Sequence, residues 1–284
     1  MTRTTGGTPK ARALGAELRE ARENAGRSLR ALAQELETNH VKLMRYETGK
    51  SVPAPEVVAA FVTALGVSAT ERDRLVEMAR DADTPNWLTA DRAGVHQELT
   101  ALIEFERTAT RITNVATGLI PGLLQTSDYA RAVMRGKPVG EVEKLVLMRL
   151  GRREVLSTRN APRLTAIISE NALREPIGGP EVMADQLRKV EQIAEWEGVD
   201  VRVIRSGSTV WHPGHVGPFV VFEFPKARPI VHLEHYRSSA FLYNPGLAEE
   251  YVDAITTLLS LALDPAQSIA FIAERAHEME AIAK

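Results

Sequence analysis

The chain has 284 residues, of which 44% are hydrophobic and 25% charged; it contains no cysteine, and its formal net charge is −2. This length and apolar content suffice for one large or two ordinary cores without covalent staples. The lack of thiols excludes disulfides and thiolate-held metals and fits a reducing compartment. The charge is uneven: residues 1–50 hold ten Lys/Arg against six Asp/Glu, a net of +4 that leaves −6 on the remainder. A basic head on an acidic body suits a small polyanion-binding module joined to something else.

The opening stretch, MTRTTGGTPKAR, is polar and has no apolar h-region, so it reads as a flexible arm over 1–9 rather than a secretory signal. The greasiest stretch, Ile255 to Leu263, is too short to span a bilayer. A cytoplasmic chain with no membrane partner is expected.

Leu14, Leu18, Ala21 and Ala25 mark one face of a first helix, which Gly26 stops. Ser28 is placed to cap a second helix with Leu29, Leu32, Ala33 and Leu36 inward, and Asn39 a third that runs to about Thr48 and ends at Gly49. The prolines of SVPAPEVVAAFVTALG stand at a helix start, where a missing N–H costs little; Val57, Val58, Phe61, Val62 and Leu65 form its inner face. The segment SATE, Ser68 to Glu71, has the capping-box pattern and opens a fifth helix. Five short helices over 10–83 can close a small core.

On a helical wheel the third helix turns Leu43 and Tyr46 inward. His40, Val41, Met44 and Arg45 face the other way, with Lys42 on the flank. An imidazole, a guanidinium, an ammonium and two apolar groups on one short helix match what the edges of bases offer in a DNA groove. Arg30, Asn39 and Lys50 lie where phosphates could be held. A merely solvated helix face is the competing reading.

Pro, Asn, Asp and Gly in RDADTPNWLTADRAG break the pattern and predict a linker over 84–92, with a second domain over 93–284. There HQELTALIEFERTATRI reads as an amphipathic helix, GLIPGLLQTSDYARAVMRG as a Pro-Gly turn followed by a helix, and EVEKLVLMRLGRREVL as another helix. The segments RLTAIIS, VDVRVIR, GPFVVFEF, PIVHLEHY and SAFLY read as strands, with a helix at PEVMADQLRKVEQIAEW between the first two. Two helices close the chain, with a cap at Asp264-Pro265. Their stripes, Ile255, Leu258, Leu259 and Ala262, then Ile269, Ile272, Ala273 and Ala276, would cover a sheet or build a two-fold dimer. The expected class is mostly α, then α+β: a five-helix domain, then a domain with a small, mostly antiparallel sheet and flanking helices.

Catalytic signatures are missing from the sequence: it has no Gly-rich phosphate loop with lysine, no nucleophile elbow and no H-E-x-x-H. His212 and His215 form a loop H-x-x-H, and His232, Glu234 and His235 stand close together. On a strand, however, His232 and Glu234 share a face that His235 does not. No metal, cofactor or catalytic residue is expected. Gln125 and Thr126 could bond a ligand beside Leu123 and Leu124, although the leucines more simply pack inward. Trp211, His212 and His215 sit on a Pro/Gly loop suited to a ligand or partner surface.

The segment from about Lys10 to Arg80 resembles the helix-turn-helix domain of the Cro/phage-repressor (XRE) family. SLRALAQEL stands where that family has its first motif helix, and NHVKLMRYETGK is similar to its recognition helix with the ending at Arg45, Glu47 and Gly49. The resemblance implies base reading by His40, Val41 and Arg45, phosphate contacts from Asn39 and around Gly49 and Lys50, and an ion pair between Arg22 and Glu47. Two positions depart from the family: Glu37 stands where glycine is usual in the turn, and Leu29 where a phosphate-reaching glutamine is common. LIPGLLQTSDYARAVM, GGPEVMADQL and WHPGHVGPFVVFEFP resemble an uncharacterised domain that follows such helix-turn-helix domains in many actinobacterial regulators.

Together these resemblances imply a sequence-specific regulator of transcription that binds operator DNA as a homodimer. A small partner protein encoded by an adjacent gene would modulate it. The alternative is an antitoxin-like interaction module that holds a small partner; a metal-dependent enzyme is the third.

Overall fold

The computed structural model describes residues 7–80, 82, 87–89, 92–135, 139–207, 209–225, 227–235 and 238–284. In chain order the helical head comprises α1 (Pro9–Asn24), α2 (Leu29–Glu35), α3 (His40–Glu47), α4 (Pro55–Ala64) and α5 (Ala69–Arg80). There follow β1 (Trp87–Thr89), α6 (Arg92–Thr108), β2 (Arg111–Ala116), α7 (Ser127–Val133), α8 (Val139–Arg152), β3 (Arg163–Ser169), α9 (Glu170–Arg174), α10 (Pro180–Ala194) and β4 (Val199–Ile204). The chain ends with β5 (Phe219–Glu223), β6 (Ile230–Glu234), β7 (Ser239–Leu242), α11 (Pro245–Leu261) and α12 (Pro265–Ile282). It divides into two compact units, Met1–Phe105 with Lys226–Ala248 and Glu106–Pro225 with Glu249–Lys284.

In the first unit, α1, α2, α3 and α5 start where a polar side chain takes up an orphan amide, whereas α4 follows Ala54 and opens on Pro55, which has no N–H to satisfy. Ser28 Oγ accepts from the Ala31 amide at 3.2 Å, Asn39 Oδ1 from Val41 at 2.7 Å, and Ser68 Oγ from Glu71 at 3.3 Å. The stops at Gly26 and Gly49 both have φ of 64°, which glycine adopts without a Cβ penalty. The five amphipathic faces close on Leu14, Leu18, Leu32, Leu43, Tyr46, Val58, Phe61, Val62 and Leu75. Leu29 lies half-buried against this core. The same unit holds an antiparallel β1-β7-β6 arrangement, with Leu88 and Leu233 both opposite Ala240.

Of the expected arm over 1–9, residues 1–6 lie outside the described residues. Thr8 caps α1 through the Ala11 amide, and Pro9 is already helical. Of the expected linker over 84–92, Trp87–Thr89 is β1 and Arg92 opens α6, whereas 84–86, 90 and 91 lie outside the described residues.

In the second unit, β2 runs antiparallel to β5 and parallel to β3, and β3 runs parallel to β4. Parallel neighbours need long crossovers; α7 and α8 supply the first, α9 and α10 the second. Within the two units three strand pairings are antiparallel and two parallel, so the β-structure is mixed. The expected helix reaching Ile112 is corrected: α6 stops at Thr108, and Arg111 opens β2. RITNVA carries Thr and Asn and reads weakly as a strand, but pairing on both edges buries Ile112, Thr113, Val115 and Ala116. The apolar stripe of α12 packs on α10 and β4, with Ile272 and Ala276 fully buried. Its cap is reciprocal: Asp264 Oδ1 accepts from the Gln267 amide at 2.8 Å, and the Asp264 amide donates to Gln267 Oε1 at 3.3 Å.

Candidate nucleic-acid interface

Helix α3 is seated by contacts that leave one face outward. Leu43 and Tyr46 are 1% and 4% exposed. A Cβ on Gly15 of α1 would lie 2.5 Å from the Tyr46 carbonyl oxygen, and one on Gly49 2.7 Å from Arg12 Cα. The α1 backbone therefore touches that of α3 at Gly15 and that of the turn after α3 at Gly49, and only glycine permits it. Sequence reasoning missed Gly15; its one signal was a glycine inside the otherwise strong helical segment ALGAEL.

Glu47 at the C-terminal end of α3 is buried. Its carboxylate accepts from Arg22 Nε at 2.6 Å and Arg22 Nη2 at 3.0 Å, while Arg22 Nη1 donates to the Arg27 carbonyl at 2.9 Å. The hydrogen bond to Glu47, working against partial desolvation, raises the pKa of the Arg22 guanidinium. One arginine thus ties α3, α1 and the α1–α2 turn together, and Arg27 further pairs with Glu35 of α2. The turn between α2 and α3 places Glu37 at φ 48°, the left-handed conformation.

The opposite face of α3 is free. His40, Val41, Lys42, Met44 and Arg45 are exposed, and so are Asn39, Arg30 and Lys50. Lys42 Nζ lies 6.0 Å from the Tyr46 ring centroid, which draws it to the flank. This surface offers two flexible cations, an imidazole and an apolar strip on a rigid helix. Such a surface can enter a major groove and contact base edges.

The other sequence-derived candidates fall elsewhere. Gln125 is 2% exposed; its Nε2 donates to the Ile120 carbonyl at 2.7 Å, and its Oε1 accepts from Arg149 Nη1 at 2.9 Å. Thr126 Oγ1 caps α7 through the Tyr129 amide. The fully buried Gln186 of α10 accepts from the Thr126 amide at 2.7 Å and donates to the Leu124 carbonyl at 2.9 Å. Gln125 is thereby corrected from ligand surface to packing device: the segment around Pro121 is irregular yet buried, and its backbone groups need partners.

Trp211 is 68% exposed beside exposed Val210 and Val216. His212 is buried and stacks on His215 with ring centroids 3.7 Å apart; its amide donates to His215 Nδ1 at 3.1 Å. Burial, then the neighbouring His215, lowers the His212 pKa. His232 stacks on Phe241 and faces Glu98 at 3.2 Å. Among the described residues no three His, Asp or Glu are grouped to hold a metal ion, and no single helix is long and apolar enough to cross a membrane.

Residues 13–75 match the family model of a helix-turn-helix domain, and residues 99–274 that of a domain of unknown function, DUF5753. No curated protein sequence matches the chain. The first match covers α2 and α3 with the helices that seat them, and the second runs from α6 into α12. With more than half of its length matched, the chain belongs to the DUF5753 family, joined to an N-terminal segment that matches a helix-turn-helix domain, a match that supports DNA binding.

Proposed function

We propose that the protein is a cytoplasmic, sequence-specific transcriptional regulator of the XRE type, as in actinobacterial proteins of this architecture, and not an enzyme. Helix α3 enters the major groove, with His40, Val41, Lys42, Met44 and Arg45 toward the bases and Arg30, Asn39 and Lys50 toward phosphates. The DUF5753 domain pairs two copies on half-sites one helical turn apart, or takes up a regulatory partner or ligand. The observation that carries this reading is the two-sidedness of α3: Leu43, Tyr46 and Glu47 are held inside by α1, and a cationic and apolar face is left without intramolecular cover.

The test is binding to the protein's own promoter. Affinity is expected to fall steeply with salt, and Arg45→Ala to cost about 1–3 kcal/mol while relaxing one base position. Unchanged affinity and specificity in that variant would remove Arg45 from the reading role.

A protein-interaction role for the DUF5753 domain draws support from the exposure of Val210, Trp211 and Val216 on one loop. The product of the adjacent gene, mixed with the purified chain, should then shift its mass in solution, and Trp211→Ala should abolish the shift.

A further inference from the structure

Within residues 7–80, Val41 and Met44 are the large apolar side chains left exposed, at 44% and 41%. Every other large apolar group of the head is buried or half-buried. The two stand three residues apart and so lie along one strip of α3. Cationic Lys42 and Arg45 flank that strip, with His40 at its start. A protein groove would have to be apolar with an acidic rim to suit such a surface. A DNA duplex supplies both features, since its phosphates are anionic and its major groove carries one apolar group, the C5 methyl of thymine.

We infer that Val41 and Met44 read pyrimidine C5 methyl groups, so that the operator carries thymine at neighbouring positions in each half-site. This rests on the DNA-binding reading above and assigns the ligand chemistry within it. Three residues of helix rise about 4.5 Å, and one base step about 3.4 Å, so the two methyls belong to adjacent or next-adjacent base pairs. The two positions differ in tolerance. Val41 is β-branched and stiff and lies in the first turn of α3, the end that recognition helices bring closest to base edges. Met44 is long and pliable and accepts a methyl over a wider range of positions. Discrimination is therefore sharper at the Val41 position.

The experiment replaces each thymine of a selected operator in turn by deoxyuridine, which removes the methyl and keeps every hydrogen-bonding group. Binding is followed by fluorescence anisotropy for the full-length wild-type chain and for Val41→Ala and Met44→Ala. Both side chains are exposed, so the variants should unfold at the wild-type temperature. Wild-type affinity is expected to drop about three- to fivefold for each contacted methyl, the scale of burying one CH2-sized group. Val41→Ala should be insensitive to deoxyuridine at one position, and Met44→Ala at its neighbour. Specific binding that ignores every deoxyuridine overturns the inference, as does a loss that is the same in wild type and both variants. Failure to bind any operator specifically would instead reject the DNA-binding reading, and this inference with it.

Discussion

Arg22 of α1 and Glu47 of α3 meet through two parallel hydrogen bonds, with the carboxylate 3% and the guanidinium side chain 11% exposed. The resemblance implied this pair from two residues 25 positions apart. An exposed pair of this kind contributes under about 1 kcal/mol, but burial of Glu47 changes its weight. Removing Arg22 strands a buried charge, which is strongly destabilising. Arg22→Met is expected to lower unfolding stability by roughly 2–4 kcal/mol, measured by urea denaturation. Arg22→Lys should recover only part of the loss, because a point-like ammonium lacks the planar fork.

Glu37 occupies the left-handed region at φ 48°. A side chain there costs on the order of 1 kcal/mol against glycine. Glu37→Gly should raise the urea midpoint by the equivalent of about 0.5–1 kcal/mol, the gain being reduced by the looser unfolded chain. A midpoint that stays or falls would show that the Glu37 side chain compensates for its strain.

Gln186 stands in for a strand edge: one carboxamide serves both an amide and a carbonyl of the buried segment around Pro121. Gln186→Leu keeps most of the volume but leaves both groups unsatisfied, at about 1–3 kcal/mol each. The unfolding temperature of the second unit should drop accordingly, with no direct effect on DNA contacts.

Glu170, buried at the start of α9, is a point of acid sensitivity. Burial by itself pushes its carboxyl up, but the Ser206 amide at 2.9 Å, Arg174 at 2.6 Å and Arg205 at 2.9 Å outweigh it and hold the pKa at about 2. The folded pKa lies below the unfolded one, near 4.3. The stabilisation is thus complete above about pH 5 and is lost as pH falls toward 2, by an amount on the order of 2 kcal/mol. Urea titrations at pH 7 and pH 3 should show this slope in the wild type. Glu170→Gln should be less stable at pH 7 and lack that part of the slope.

The helical head was legible residue by residue. Caps, glycine stops and the 3.6-residue apolar period are local signals, and each acts within a few positions of where it is written. Ser28, Asn39 and Ser68 accept the amide bonds their positions foretold. The wheel of α3 likewise separated Leu43 and Tyr46 from Val41 and Met44 along the line that burial draws. In the second unit, β-branched runs located β3, β4 and β5, because such segments announce themselves by composition.

What the sequence determined by itself was therefore whatever is encoded within a turn or two of chain: helix limits, the outward face of α3 and the position of most strands. Only the tertiary structure decided which segments are joined across long separations. It turned RITNVA into a buried strand by pairing it on both edges. It took Gln125 from a ligand surface into the interior, where Arg149 of α8 and the Ile120 carbonyl are its partners. It also made Gly15 indispensable by pressing two helix backbones together. These outcomes depend on partners dozens of residues away, and no local period or cap carries that information.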